Sequence, residues 1–175
     1  MLIRKITLLF TACFFISHIS VAQERMESTI KRQALEMARA ILAKDLDKVV
    51  QYFPPKMVEA SGGKSKVLAV RDSMNKFMQQ FGAEVRKVVI GNPGKIITYK
   101  DVLQTTLPQT TQVAFMQSTV TLETTLIAVS EDKGKHWYFI DANMYRNPKL
   151  KASLPELSPD LVIPPQKKPE IINTP

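Results

Sequence analysis

Trp137, Phe139 and Asp141 alternate along one predicted strand, so a carboxylate follows two large aromatic rings on a single face. In that setting Asp141 is a candidate general base. Its plainer role is to mark the strand end by bonding to backbone or to a nearby cation. Glu123 sits mid-strand between Thr121 and Thr125. It is either a buried carboxylate that needs a partner or an ordinary member of a solvated face. A catalytic reading of the chain would rest on Asp141, Glu123 and the phenol of Tyr99. A small-ligand pocket would draw on Tyr52, Tyr99, Trp137, Phe139, Asp141 and Tyr145.

Other chemistries find little support. Among the residues after the leader described below, His136 is the only histidine and there is no cysteine. His136 follows a polar loop and is expected to face solvent. A lone histidine cannot build a multi-histidine metal centre, and thiol catalysis and disulfides have no residues to use. No metal site or cofactor is predicted. Ser61-Gly62-Gly63-Lys64-Ser65 superficially resembles a phosphate loop. It lacks a preceding strand and the Walker spacing, and reads as the loop that opens a helix. A Ser–His–Asp arrangement has no nucleophile elbow to carry it.

The N-terminus carries an address. Arg4 and Lys5 precede the short apolar run Ile6–Ile16, and Ser20-Val21-Ala22 supplies small residues for a cleavage site. This pattern predicts a signal peptide over 1–22, a mature chain starting near Gln23, and a secreted or periplasmic protein. Cys13 in Phe10-Thr11-Ala12-Cys13 loosely resembles a lipobox, but the apolar run continues beyond it, which argues against a lipid anchor. The formal charge of +8 becomes +6 once Arg4 and Lys5 are subtracted. The lysines are dispersed without aromatic interleaving. Nucleic acid is therefore not an expected partner, and the mature chain has no expected membrane span.

These side chains must be positioned by a chain of about 150 residues, enough for one domain. Ile30, Ala34, Met37 and Ile41 recur at helical steps. Asp45 is a plausible N-cap for a second helix carrying Leu46, Val49, Val50 and Phe53, ended by Pro54-Pro55. A short turn over Lys56–Ser61 and the Gly62-Gly63 break precede a third long helix. That helix carries Val67, Val70, Met74, Phe77 and Phe81 and stops at Gly82. The period then changes. Val85–Ile90 and Lys95–Leu103 are expected to form a hairpin about the turn Gly91-Asn92-Pro93-Gly94. Leu107-Pro108 is expected to interrupt, Gln109–Met116 to be a short strand, Thr119–Ser130 the longest, and His136–Met144 the last. Phe77 and Phe81 are expected to pack on Trp137 and Phe139. Pro164–Pro175 reads as an extended or disordered tail. The division is 1–22 leader, 23–147 α+β domain and 148–175 proline-rich tail.

The order of helices before a four- or five-stranded antiparallel sheet resembles the nuclear-transport-factor-2-like superfamily, a cystatin-like cone fold. The local carriers are the passage Ala43–Phe53 (AKDLDKVVQYF) and the passage Lys135–Asp141 (KHWYFID). Leu126–Trp137 is also similar to exported, mostly uncharacterised bacterial proteins of this type. The resemblance spans about Glu27–Tyr145 and implies N-terminal helices packed on a curved sheet. It also implies a pocket between helices and sheet. Members include isomerases, dehydratases and small-ligand binders, so the fold does not choose a function. The residues favour a non-catalytic domain that binds an unknown small molecule or a protein, and a homodimer is compatible with it. The alternatives are a small isomerase- or dehydratase-type enzyme using a pocket carboxylate and tyrosine, and a cell-surface accessory protein that docks through its tail.

Overall fold

The computed structural model describes residues 23–173; the leader read at 1–22, with Cys13, lies outside the described residues. Helix α1 covers 23–42. Of its predicted stripe, Ile30, Ala34 and Met37 are buried and Ile41 is half-buried, with Ala38 buried beside them. The chain leaves α1 through Lys44 at φ 58°. Asp45 then caps α2 (Leu46–Val50), its carboxylate accepting from the Lys48 N–H at 3.1 Å. Pro55 opens α3 (Pro55–Ala60), where a missing N–H costs nothing. Helix α4 (Lys64–Gln80) ends through Phe81 into Gly82. Gly82 adopts φ 63° and donates to the Gln79 carbonyl at 2.9 Å.

Six antiparallel strands follow in one open sheet: β1 (Ala83–Ile90), β2 (Ile97–Tyr99), β3 (Val102–Phe115), β4 (Ser118–Ser130), β5 (Tyr138–Asp141) and β6 (Glu170–Asn173). The order is β1-β3-β4-β5, with β2 beside β3 and β6 beside β4. Two short helices, α5 (Ala142–Arg146) and α6 (Pro148–Lys151), separate β5 from the tail. The protein is thus α+β, with one strand more than the upper expectation.

Three local expectations are corrected. Gly91–Gly94 does not reverse the chain. β1 pairs with β3, and the chain runs on along the same edge, with Gly91 donating to the Pro108 carbonyl and Gly94 to the Thr106 carbonyl, both at 2.8 Å. Pro93 breaks the ladder because it has no N–H, but the direction persists into β2. The reversal falls at Lys100-Asp101, both at positive φ (48° and 64°), between Tyr99 and Val102. Second, Pro108 lies inside a continuous fourteen-residue β3. Its carbonyl takes the Gly91 bond where the regular β1 ladder ends, a position at which the absent N–H is tolerated. Third, the tail has regular structure: Glu170–Asn173 pairs with Ser118–Thr121.

The core has two parts. Leu126, Ala128 and Phe139 join Leu107, Ile90 and Trp137 beneath the α1 stripe. The alternate residues Ile127, Val129 and Ile140 join Val49, Val50, Phe53, Met57 and Val67 from α2 to α4, with Leu154 and Leu161 from the tail. Successive strand residues point to opposite faces, so this half of the sheet is buried on both sides. The tail is also tied by polar bonds. Fully buried Gln104 donates to the Glu156 carbonyl and accepts from the Ser158 N–H, both at 2.8 Å.

Candidate functional site

The polar residues proposed for chemistry sit in separate places. Asp141 is the N-cap of α5, where its carboxylate accepts from the Asn143 N–H at 2.8 Å. Tyr145 donates to the Pro155 carbonyl at 2.8 Å, and burial pushes its phenol up. Tyr99 donates to Glu156 at 3.1 Å beside Lys100, which meets the same carboxylate at 2.8 Å. Glu123 is exposed and pairs with Lys167. Trp137 and Phe139 are interior residues. Of the seven candidates, only Tyr52, Trp137 and Phe139 come together. The ring centroids of Tyr52 and Phe139 lie 6.1 Å apart.

Tyr52 does belong to a polar cluster. Its hydroxyl donates to Glu36 at 2.7 Å, the other Glu36 oxygen accepts from Arg32 at 2.9 Å, and His136 stacks on the Tyr52 ring at 5.8 Å. Burial, then the Glu36 carboxylate, holds the Tyr52 phenol up at about 12. The Tyr52 hydroxyl, with Arg32, holds Glu36 below the usual carboxylate range. Both carboxylate oxygens are committed, and the phenol keeps its proton at neutral pH. The cluster therefore links α1 to the Gln51–Phe53 turn, with one bond held at each Glu36 oxygen. His136, expected to face solvent, is half-buried between the Tyr52 and Tyr138 rings, with Nε2 at 3.2 Å from the Gln51 carbonyl. Among the described residues, no three His, Cys, Asp or Glu side chains stand together as a metal site requires. No described helix is long and apolar enough to cross a membrane.

The concavity that stands out is apolar. Phe77, Met78 and Phe81 of α4 form one wall, and Val113, Phe115, Val120 and Leu122 of the β3–β4 hairpin line the rest with Ala83 at the base. It is an open groove of about 410 Å³. The hairpin supplies these residues because Val113 pairs directly with Val120 and Thr111 with Leu122, so Val113, Phe115, Val120 and Leu122 share a face. That face is continuous with Leu107, Leu126 and Ala128, which α1 covers. Toward the hairpin tip α1 no longer covers it. Phe77 and Phe81 are not the partners of Trp137 and Phe139 that the sequence reading made them. They remain 56% and 50% exposed, with ring centroids 4.7 Å apart. The sequence signal for the groove was present in the alternation Val113/Phe115 and Val120/Leu122. What it lacked was the extent of α1, which decides which half of the sheet is covered.

Comparison with family models, with characterised proteins and with solved structures finds no match for this chain.

Proposed function

We propose that this chain is an exported, non-catalytic interaction domain that works through the apolar groove between α4 and the β3–β4 hairpin. The observation that carries the reading is the pair of half-exposed phenylalanines bordering a concavity lined by apolar side chains. Contiguous exposed apolar surface of this kind is uncommon on monomeric soluble domains and marks contact sites. The placement of the polar candidates supports the same reading: Asp141 caps a helix, and Glu123 is exposed and paired with Lys167. Export rests on the leader pattern at 1–22, and the cone-type fold on the passages Ala43–Phe53 and Lys135–Asp141. Helices followed by an open antiparallel sheet are compatible with that fold.

The test is an environment-sensitive apolar dye, 8-anilinonaphthalene-1-sulfonate, added to the protein at high dilution. Fluorescence should rise with the wild type and fall several-fold for Phe77→Glu/Phe81→Glu. Equal signal from both proteins would remove the groove as the site.

A further inference from the structure

We propose that the groove is covered by a second copy of this chain, with α4 packing antiparallel against its counterpart; this rests on the reading of the groove as an interaction surface. Val67, Val70, Met74, Phe77 and Phe81 recur at steps of three, four, three and four. That is the narrow seam of a two-helix pair, narrower than the stripe of a helix lying on a globular core. Val67 alone is buried within the chain. Val70, Met74, Phe77 and Phe81 are 60%, 56%, 56% and 50% exposed.

A two-fold axis near residues 75–76 sets Val70 against the partner's Phe81 and Met74 against the partner's Phe77. Small then meets large at the outer layers. Each copy also carries both halves of the contact, the Phe77 and Phe81 rings that border the groove and the Val70 and Met74 side chains that face them from the partner, as an isologous interface requires. Met116 extends the surface. It turns the β3–β4 hairpin at φ 52° and is 77% exposed, a large apolar side chain where Asn or Gly would be the easy choice.

Charge favours a copy of the chain over an anionic bilayer. Along the exposed half of the stripe Lys76 is paired with Asp72 at 2.8 Å, and Arg71 lies over the Phe53 ring at 4.9 Å. Two basic molecules can therefore meet here without setting like charges against each other, and acidic headgroups would find these cations already engaged. Two half-exposed phenylalanines present about 200 Å² per copy. With Val70, Met74, Met116 and the hairpin face, the total buried by both copies comes to about 1,000 Å², the lower end for a specific interface. A micromolar dimer is the expectation.

The experiment is sedimentation velocity on the purified protein from about 1 to 100 μM, the range in which a micromolar dimer populates both states. The expected result is a concentration-dependent rise to twice the mass of one chain. Phe77→Glu/Phe81→Glu should hold at one mass throughout, with unchanged circular dichroism. Should that variant not fold, Val70→Glu makes the same test on a side chain that is more exposed. A wild type that stays monomeric, or a folded variant that still dimerises, overturns the proposal. In the monomeric case the dye separates the two claims: signal lost on Phe77→Glu/Phe81→Glu keeps the groove as a site for another occupant, and no signal from the wild type removes the groove as well.

Discussion

Replacing Gln33 by Met should destabilise the protein by about 2 kcal/mol. Gln33 is 5% exposed on α1 and bridges to the loop before β5. Its Nε2 donates to the Lys135 carbonyl, and its Oε1 accepts from the Trp137 N–H, both at 2.8 Å. Trp137 is fully buried, and its indole N–H donates to the Gly134 carbonyl at 3.1 Å. Methionine is close to glutamine in volume and shape, so the change removes two bonds and leaves no large cavity. The orphaned Trp137 N–H is buried and costs ~1–3 kcal/mol, whereas the Lys135 carbonyl is near solvent and costs less than ~1 kcal/mol. Added apolar burial offsets roughly 0.5 kcal/mol. A net loss near 2 kcal/mol corresponds to a fall in Tm of about 4–8 °C for a chain of this size. Urea unfolding measures it directly. Gln33→Glu adds a signed check. Ionised, its second oxygen opposes the Lys135 carbonyl; protonated, it donates to it. The folded pKa then lies above the unfolded value of ~4.3, and the favourable term is present below ~4.3 and lost as pH rises through the folded pKa. The deficit relative to wild type should grow from pH 4 to pH 7. A Gln33→Met loss within ~0.5 kcal/mol, the range of surface substitutions, would refute the bridging role.

Tyr52→Phe removes a hydrogen bond to a charged acceptor and should cost about 1–2 kcal/mol at pH 7 by chemical denaturation. The Tyr52 phenol is held up at about 12 against ~10 unfolded. Its contribution is therefore present below ~10 and lost as pH rises toward the folded value, a decline between those limits that Tyr52→Phe should not share. Phe139→Ala, in the core beneath α1, should cost ~3–5 kcal/mol; a change below ~0.5 kcal/mol would place that strand face in solvent. Asp141→Ala should cost ~1 kcal/mol as a lost N-cap, and Asp141→Asn, which can still accept from Asn143, less than half of that. Gly91→Ala sets a Cβ 3.0 Å from the Pro108 ring and should destabilise by ~1–3 kcal/mol, read as a lower unfolding midpoint.

Local chemistry made much of the helical half legible. The Asp45 cap, Pro55 at a first helical turn and Gly82 after α4 act within a few residues of themselves, so their meaning does not depend on distant partners. The strands were legible in type and less so in pairing. Gly91-Asn92-Pro93-Gly94 has turn composition, yet both glycines donate to β3 and the chain goes straight on; Lys100-Asp101 makes the turn without Gly or Asn. Which way a chain leaves a proline depends on the strand waiting beside it, here the fourteen residues of β3. Gln33 depends on distant partners in the same way. It falls on the polar side of α1 by period, but the buried Trp137 N–H needs an acceptor there and the neighbouring Lys135 carbonyl takes a donor. The tail misled through its prolines. Beyond α6 they disfavour a further helix, and they leave Leu154, Leu161 and the strand Glu170–Asn173 free to complete the fold.

The α4 stripe marks the point at which sequence reasoning reaches its physical boundary. Val67 to Phe81 announces a face that must leave water, and the helix forms as that pattern requires. The burial of Val67 alone shows that the chain's own core supplies only the first layer. Periodicity reports the free energy available from covering a face. It carries no information about which molecule provides the cover. The same is true of Asp141, where a carboxylate behind two aromatic rings could serve catalysis or a helix cap, and the Asn143 N–H at 2.8 Å uses it as the cap. In both cases residue type specifies the interaction that must be satisfied. For Asp141 the partner lies two residues along the chain. For the outer layers of α4 the described residues leave half or more of each side chain uncovered, and a second α4 has the spacing and side-chain sizes to cover the rest.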